Sequence, residues 1–598
     1  MKKITLSLII FCVTLLGAFS QKHDFKWVLG FSTLDNPYDS AWGITTIDFD
    51  TPDGNPIMSY GGNKKIDFIG ACTSISDTEG KYLFSCNGSC LEDSSDQLLK
   101  NSDFLAANYQ YPGPGEPSPQ GVLILPYPGI ENKFILFHKE DQLFNDYGLA
   151  SSSLLFSEIE FNKQYPKGIM TKKRVPLIKD TLSSSCLSTV KHANGRDWWI
   201  IVSEDNHIGY YVLLLSNTGV KLISKQNFVG RKIGGGIGQS CFSNDGKYLA
   251  TATSDDIRQL RYNNLYFFKF DRCSGILDNT SIIKFPYREL TWATGCAFSP
   301  NGKYLYAVTR DSLYQFKIID DKIGRADKII AYDGYQELVV PPFSYWSAWF
   351  GMLQQAPDGR IYGGDVGCSY RSLDVINNPN AESGDLDFRP HSISTITVHS
   401  DLPSYPNYRL GPIDGSFCDT LGIDNIPWCH WRYNQDTSDY LSFHFTDLSA
   451  YEVEEWFWDF GDKSSGVLNN SMSVNPRHKF SSNGVYEVCL TVKNKNGMNT
   501  LCRNIKIGNV VSTKEQPSIP EILTWPNPCK DYIVVNILDY NPEIMILHLF
   551  DNQGKQLMAQ KLYQGSNVFR TESLSSGEYH ILIYENGKEL RTEKLVKL

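Results

Sequence analysis

Cys296-Ala-Phe-Ser-Pro-Asn-Gly-Lys-Tyr-Leu-Tyr-Ala-Val-Thr309 decides the architecture of most of this chain. It holds an apolar run, a Pro-Asn-Gly turn and a second run in which Tyr, Leu, Tyr and Val follow one another. Asn and Gly accept the positive φ of a tight turn, so the stretch reads as a β-hairpin. Ser240-Cys-Phe-Ser-Asn-Asp-Gly-Lys-Tyr-Leu-Ala-Thr-Ala-Thr253 repeats it, and weaker copies lie at 76–85, 190–202 and 355–362. The turn glycines Gly195, Gly246, Gly302 and Gly359 are 51, 56 and 57 residues apart. Periods of this size, with strand-like alternation and no helical pattern, fit propeller blades of four strands. One blade cannot bury its own two faces, so a closed ring is required, and seven blades are expected. Cys241 and Cys296 are one position out of step when aligned on their turn glycines, which points them to opposite faces of their strands.

The rest of the composition agrees with an all-β chain. Aromatics make up 13% of the 598 residues and glycine numbers 47, a mix suited to many short strands joined by tight turns. The formal net charge is −10 and no basic block stands out, which excludes a nucleic-acid partner. Lys2-Lys3, the apolar Ile4 to Leu16 and the small residues Ala18 and Ser20 form a leader, with cleavage expected between Ser20 and Gln21. No later run has the length of an apolar membrane span, so no transmembrane segment is expected. Thirteen cysteines follow the leader, an odd number that leaves at least one free thiol. Cys72, Cys86 and Cys90 cluster in sequence, but no His or Cys pair elsewhere completes a zinc pattern, so no metal is assigned.

Tyr405 to Asp436 is punctuated by Pro and Gly and reads as a boundary, which Cys418 and Cys429 are placed to staple. Beyond it, Trp456-Phe-Trp-Asp-Phe-Gly-Asp462 puts Trp456, Trp458 and Phe460 on one strand face. Cys489 and Cys502 are equidistant from the turn-like Asn494-Lys-Asn-Gly497, so they face each other across a hairpin and are expected to form a disulfide.

Three resemblances follow from these residues. Ser74-Ile-Ser-Asp-Thr-Glu-Gly80, Ser118-Pro-Gln-Gly-Val-Leu-Ile-Leu-Pro126, Gly148-Leu-Ala-Ser-Ser-Ser153, Asp197-Trp-Trp199 and Ser299-Pro-Asn-Gly-Lys303 resemble a propeller family of secreted proteins from Bacteroidetes-type bacteria. Trp-Asp-Phe-Gly-Asp, with Asn475-Pro-Arg-His478 and Gly484-Val-Tyr486, resembles a PKD domain, an immunoglobulin-like sandwich in which Asp459 and His478 belong to the structural motif. Trp525-Pro526-Asn527-Pro528, Asn552-Gln-Gly-Lys555, Leu574 with Gly577 and Tyr579, and the final strand with Lys594 and Lys597 resemble the C-terminal sorting domain of the type IX secretion system. That likeness implies a second sandwich, a partner in the type IX secretion machinery, and delivery through the periplasm to the cell surface or beyond. The expected division is a leader 1–20, a propeller 21–410, a linker 411–436, a PKD domain 437–510, a linker 511–519 and a sorting domain 520–598.

Catalytic signatures are missing from the sequence: no His-Glu-x-x-His, Gly-x-Ser-x-Gly or Walker loop occurs. No cofactor is implied. Tyr345, Trp346 and Trp349, in the aromatic stretch Phe343 to Phe350, are the candidate binding residues. Tyr345 and Trp349 share a strand face and Trp346 takes the other. The reading is a secreted or surface protein for binding or adhesion, with an extracellular glycan or protein as ligand and the PKD domain as spacer. The alternative is a propeller enzyme (glycosidase, lyase or peptidase) acting on an extracellular polymer.

Overall fold

The computed structural model describes residues 21–598 apart from 32–42, 61–63, 107–114, 117, 145–147, 206–208, 229–237, 255–261, 287–294, 332–335, 341–343, 348–349, 365–369, 400–401, 437, 509–521, 526, 531, 538–544, 563–564 and 586–587. The repeated hairpin turn sets its local geometry twice in the same way. Ser299 Oγ donates to Asn301 Oδ1 at 2.8 Å, and that same oxygen accepts from Lys303 N at 3.0 Å. Ser243 Oγ, Asp245 Oδ1 and Lys247 N repeat the arrangement at 2.6 and 3.0 Å. Gly302 and Gly246 close the turns at φ +67° and +71°, a region that glycine enters without steric cost.

Each hairpin grows into a four-stranded antiparallel sheet. One runs Gly238–Phe242, Tyr248–Ser254, Tyr262–Asp271, Ile276–Pro286; the next runs Gly295–Phe298, Tyr304–Thr309, Ser312–Ile319, Lys322–Ala331. A further sheet runs Leu353–Gln355, Ile361–Gly363, Tyr370–Ile376, Phe388–His399. Earlier in the chain the long strand Ile169–Lys191 is the middle strand of one seven-stranded sheet and joins two propeller units. It pairs with Gly148–Glu160 and, after a register shift between Leu182 and Leu187, with Trp198–Glu204. The outer strand of one unit thereby becomes the inner strand of the next.

The first strands of successive sheets stand side by side: Lys26–Phe31, Thr73–Ser76, Val122–Pro126, Ile169–Lys191, Gly238–Phe242, Gly295–Phe298 and Leu353–Gln355. The first and last sheets then meet, with Trp27 and Phe49 packed against Tyr362 at 5.7 and 6.0 Å between ring centroids. This is a β-propeller. Its core lies between sheets, because each sheet turns one apolar face to each neighbour. Tyr248, Ala250 and Phe267 of one sheet meet Phe298, Leu305 and Phe316 of the next in a single buried cluster.

Two sandwiches follow. In the first, Trp431–Gln435, Ser442–Asp447 and Arg477–Lys479 face a sheet of Asn470–Ser471, Glu455–Asp459, Gly484–Asn494 and Gly497–Ile507. Trp458 and Phe460 are buried between them and Trp456 packs at their edge. His478 stacks on Phe460 at 4.2 Å and Asp462 Oδ2 lies 3.3 Å from His478 Nε2, while Asp459 Oδ1 accepts from Gly461 N and Asn469 Nδ2. Cys489 and Cys502 are directly paired across the hairpin, 4.0 Å apart at Cα, and form a disulfide. In the second sandwich, Asn527 clasps the final strand: its Nδ2 donates to Lys594 O and its Oδ1 accepts from Val596 N. Tyr579 is buried, with its hydroxyl donating to Ser575 O. Lys594 pairs with Glu578, and Gly577 starts the strand opposite Lys597.

Cysteine pairing departs from one expectation. Cys418 is joined to Cys273 of the propeller, not to Cys429. Cys429 lies in the sandwich core, where its Sγ donates to Leu490 O at 3.2 Å. Cys72, Cys86 and Cys90 are buried, and burial pushes the Cys86 thiol up to about 12, which suits a small hydrophobe.

Candidate functional site

The segment after the last propeller strand does not leave the ring. Pro403, Pro406 and Pro412 deny it the N–H groups of a regular strand, and it crosses the inner strands as a strap. Ser404 N reaches Cys72 O at 3.4 Å, and Gln120 Nε2 donates to Ser404 Oγ at 3.0 Å. Tyr405 stacks on Trp27 at 6.0 Å, and Tyr408 donates its hydroxyl to Ile124 O at 2.9 Å. Asn407 Nδ2 donates to Asn244 O at 2.9 Å, and Ile413 N donates to Ala193 O at 2.8 Å. The strap therefore touches the inner edge of the ring at several separate sheets.

The stretch 411–436, expected to be a linker, carries on this attachment. Its Cys418 is held by the propeller, and Trp428 packs on Phe25 at 6.0 Å. The first sandwich then lies directly on the ring. Arg432 Nε donates to Asp358 O at 2.7 Å, and Arg360 Nη2 donates to Asn434 Oδ1 at 2.9 Å. Leu448 lies so close to the turn glycine Gly359 that a Cβ there would stand 2.5 Å from its Cδ2. A spacer held apart from the propeller would make none of these contacts. The spacer expectation is corrected accordingly: the sandwich is a wall docked on the ring.

Between ring, strap and sandwich lies a cavity of about 790 Å3. The ring supplies Ser188, Gln239 and Gln354, the strap supplies Asn407, and the sandwich supplies Asp447 and Asn475. Amides and hydroxyls alternate with apolar residues such as Leu123, Phe242 and Leu353. Many are committed to holding the walls: Gln239 Nε2 donates to Leu353 O at 2.6 Å, and Asn475 Oδ1 accepts from Asp447 N at 2.8 Å. Ser188 Oγ is buried and has no hydrogen-bond partner among the described residues.

Arg272 and Arg409 line the cavity together with Asp24, Asp245, Asp447 and Glu452, so its charge is mixed. Arg272 donates to the carbonyls of Lys191 at 2.8 Å and His192 at 3.2 Å, and also to Gly411 O, and burial brings it down to about 10. Lys191, over the Trp198 ring at 5.4 Å, is brought down to about 7 by burial and then by Arg272 and Arg409. On the sandwich wall, burial raises the Asp447 carboxyl above the usual range. Hydrogen bonding from a lining of mixed charge is what this arrangement offers a ligand. Among the described residues no group of three His, Cys, Asp or Glu side chains is placed to hold a metal ion.

Tyr345 and Trp346 lie in the strand Ser344–Ser347, paired with Leu338 and Glu337; their side chains, and Trp349 altogether, are outside the described residues. The leader with Ser20, the linker 511–519 and Pro526 are also outside them. Gln21 is described: its carbonyl accepts from Arg409 Nη1 at 3.0 Å and its Oε1 from Lys191 Nζ at 2.9 Å. Sequence reading missed the strap and the cavity residues. The only signal was the Pro spacing from 403 to 412, which marks non-strand chain but not its path.

Comparison with known families now adds identity to this geometry. Residues 433–507 match the PKD domain, and residues 523–598 match the secretion system C-terminal sorting domain. The chain is a type IX secretion cargo. It is therefore exported to the cell surface or the extracellular space. Among the described residues no helix is long and apolar enough to cross a membrane. No curated protein matches the cargo. Similar solved structures include the β-propeller domain of Nup133 from Vanderwaltozyma polyspora, at 11% identity over 57% of this chain and 90% of that one, TM-score 0.28. Sqt1 from Chaetomium thermophilum is 11% identical over 65% and 97%, TM-score 0.27. A functionally unknown protein from Desulfotomaculum acetoxidans is 11% identical over 78% and 94%, TM-score 0.23. Overlays of this extent carry no argument about function.

Proposed function

We propose that this cargo is a binding or adhesion protein of the cell surface. Its propeller, of seven blades, and its PKD wall together form one ligand crevice. The observation that carries the reading is the cavity of about 790 Å3 walled by ring, strap and sandwich. That volume falls in the range of ligand sites, and the amides and hydroxyls of its lining fit a polyhydroxylated ligand, a segment of extracellular glycan. The type IX machinery is the partner during export, and the sorting domain is the address it reads.

Screening the full chain against an array of extracellular polysaccharides, with an assay for new reducing ends in parallel, tests this. Binding without chain cleavage supports it. Release of reducing ends would favour the alternative, a propeller enzyme on an extracellular polymer. Absence of both would remove the glycan and leave a protein ligand.

A further inference from the structure

Cys241 and Cys296 belong to the inner strands of two successive propeller sheets, Gly238–Phe242 and Gly295–Phe298. Each points to the face its sheet turns toward the other. Cys241 pairs with Ala250 and Cys296 with Ala307, and both alanines lie in the buried cluster between the sheets. Two residues on opposite faces of stacked sheets meet in the gap, and their sulfurs are 3.5 Å apart. A disulfide needs a separation of about 2.05 Å, so small side-chain rotations close the distance.

The two thiols differ in access. Cys296 is fully buried, and its Sγ donates to Gln239 O at 3.4 Å. Cys241 is half-buried and lines the large cavity. An oxidant entering the cavity meets Cys241 first, with Cys296 directly behind it. The chain already carries two disulfides, Cys273–Cys418 and Cys489–Cys502, as expected of a protein that passes through an oxidising compartment.

We propose that Cys241 and Cys296 are a disulfide-forming pair that staples two neighbouring blades at the cavity wall when a small disulfide donor of the oxidised-glutathione class reaches Cys241. In the first step the Cys241 sulfur attacks the donor's S–S bond, gives up its proton, forms a mixed disulfide and releases one glutathione thiol. In the second, the Cys296 sulfur attacks Cys241 Sγ, loses its proton, forms the Cys241–Cys296 bond and expels the second glutathione thiol. Two protein thiols are oxidised and one disulfide donor is reduced, so atoms and electrons balance. Burial of Cys296 disfavours its thiolate, which makes the second step the slow one.

The full-length protein is incubated with oxidised glutathione, denatured without reductant, alkylated with iodoacetamide, digested and analysed by mass spectrometry. The expected result is a linked peptide pair containing Cys241 and Cys296, two hydrogens lighter than the free peptides together and dissolved by dithiothreitol. In Cys296→Ser the expected product is glutathione held on Cys241, and in Cys241→Ser an alkylated Cys296. Circular dichroism of each variant reports whether it is folded; if Cys296→Ser is not, the wild-type time course of mixed disulfide followed by linked pair gives the same readout. Both cysteines alkylated in the oxidised wild type, a lasting mixed disulfide on Cys241, or a link from Cys296 to any cysteine other than Cys241 would overturn the proposal.

Discussion

Arg409 of the strap and Asp24 at the start of the first blade form a two-pronged ion pair, Nη1 to Oδ1 at 2.6 Å and Nη2 to Oδ2 at 2.7 Å, with Asp24 only 4% exposed. Burial opposes the charge on Arg409, but the Asp24 carboxylate outweighs it and raises the guanidinium further. Removing one partner of a buried pair strands the other charge. Arg409→Met is therefore expected to destabilise the propeller by about 3–5 kcal/mol, read by urea unfolding. A loss below about 1 kcal/mol would mean that the strap is not locked by this pair.

The buried bases make stability depend on pH. Burial holds His23 at about 4 and His138 at about 3, against a reference of 6.5. As pH falls below 6.5 the unfolded chain takes up these protons before the folded one does, so stability drops toward pH 4 and below. Lys191 behaves the same way at higher pH. With a folded value of about 7 and an unfolded value of 10.5, stability rises as pH climbs between them. In melting curves over pH 4 to 10, Lys191→Met should flatten the alkaline rise, at about 1.4 kcal/mol for each pKa unit involved. An unchanged slope would show that Lys191 is not desolvated.

The hairpin disulfide closes a loop with a sequence separation of 13. The double variant Cys489→Ala/Cys502→Ala is expected to destabilise the first sandwich by about 3 kcal/mol in denaturant titration, and dithiothreitol should reproduce the effect on the wild type.

Export is testable in the cell. A chain truncated before Pro520 lacks the Asn527 clasp and the strands that follow it. It is expected to fold its propeller and first sandwich and to accumulate in the periplasm, as fractionation and blotting would show. Normal amounts at the cell surface would contradict the sorting assignment.

The legible part of this protein is what repeats or alternates locally. Gly246 and Gly302 sit in identical turns because the Ser, Asp or Asn, and Gly that build those turns are sequence neighbours. Trp458 and Phe460 could be placed by strand periodicity, and Cys489 and Cys502 by counting from a turn. The candidate site was not legible. Its walls bring Ser188, Asn407 and Asn475 together from three separate elements, and nothing local relates them. Cys418 finds Cys273 at a sequence separation of 145, a partner chosen by the strap's path through the ring. Aromatic density drew attention to Tyr345, Trp346 and Trp349, whose side chains lie outside the described residues; the cavity lining mixes amides, hydroxyls and apolar residues of types common everywhere.

The account rests on the crevice, and blocking its mouth tests it most directly. Val474 lines the cavity, is 42% exposed and stands on the sandwich wall; Val485, 59% exposed, is on the same sandwich and does not line the cavity. Titration calorimetry with the best oligosaccharide from the array would compare wild type, Val474→Trp and Val485→Trp. The crevice account predicts an affinity loss of about tenfold or more for Val474→Trp, equivalent to about 1.4 kcal/mol, and wild-type affinity for Val485→Trp. Wild-type affinity in Val474→Trp would place the ligand elsewhere and contradict the account.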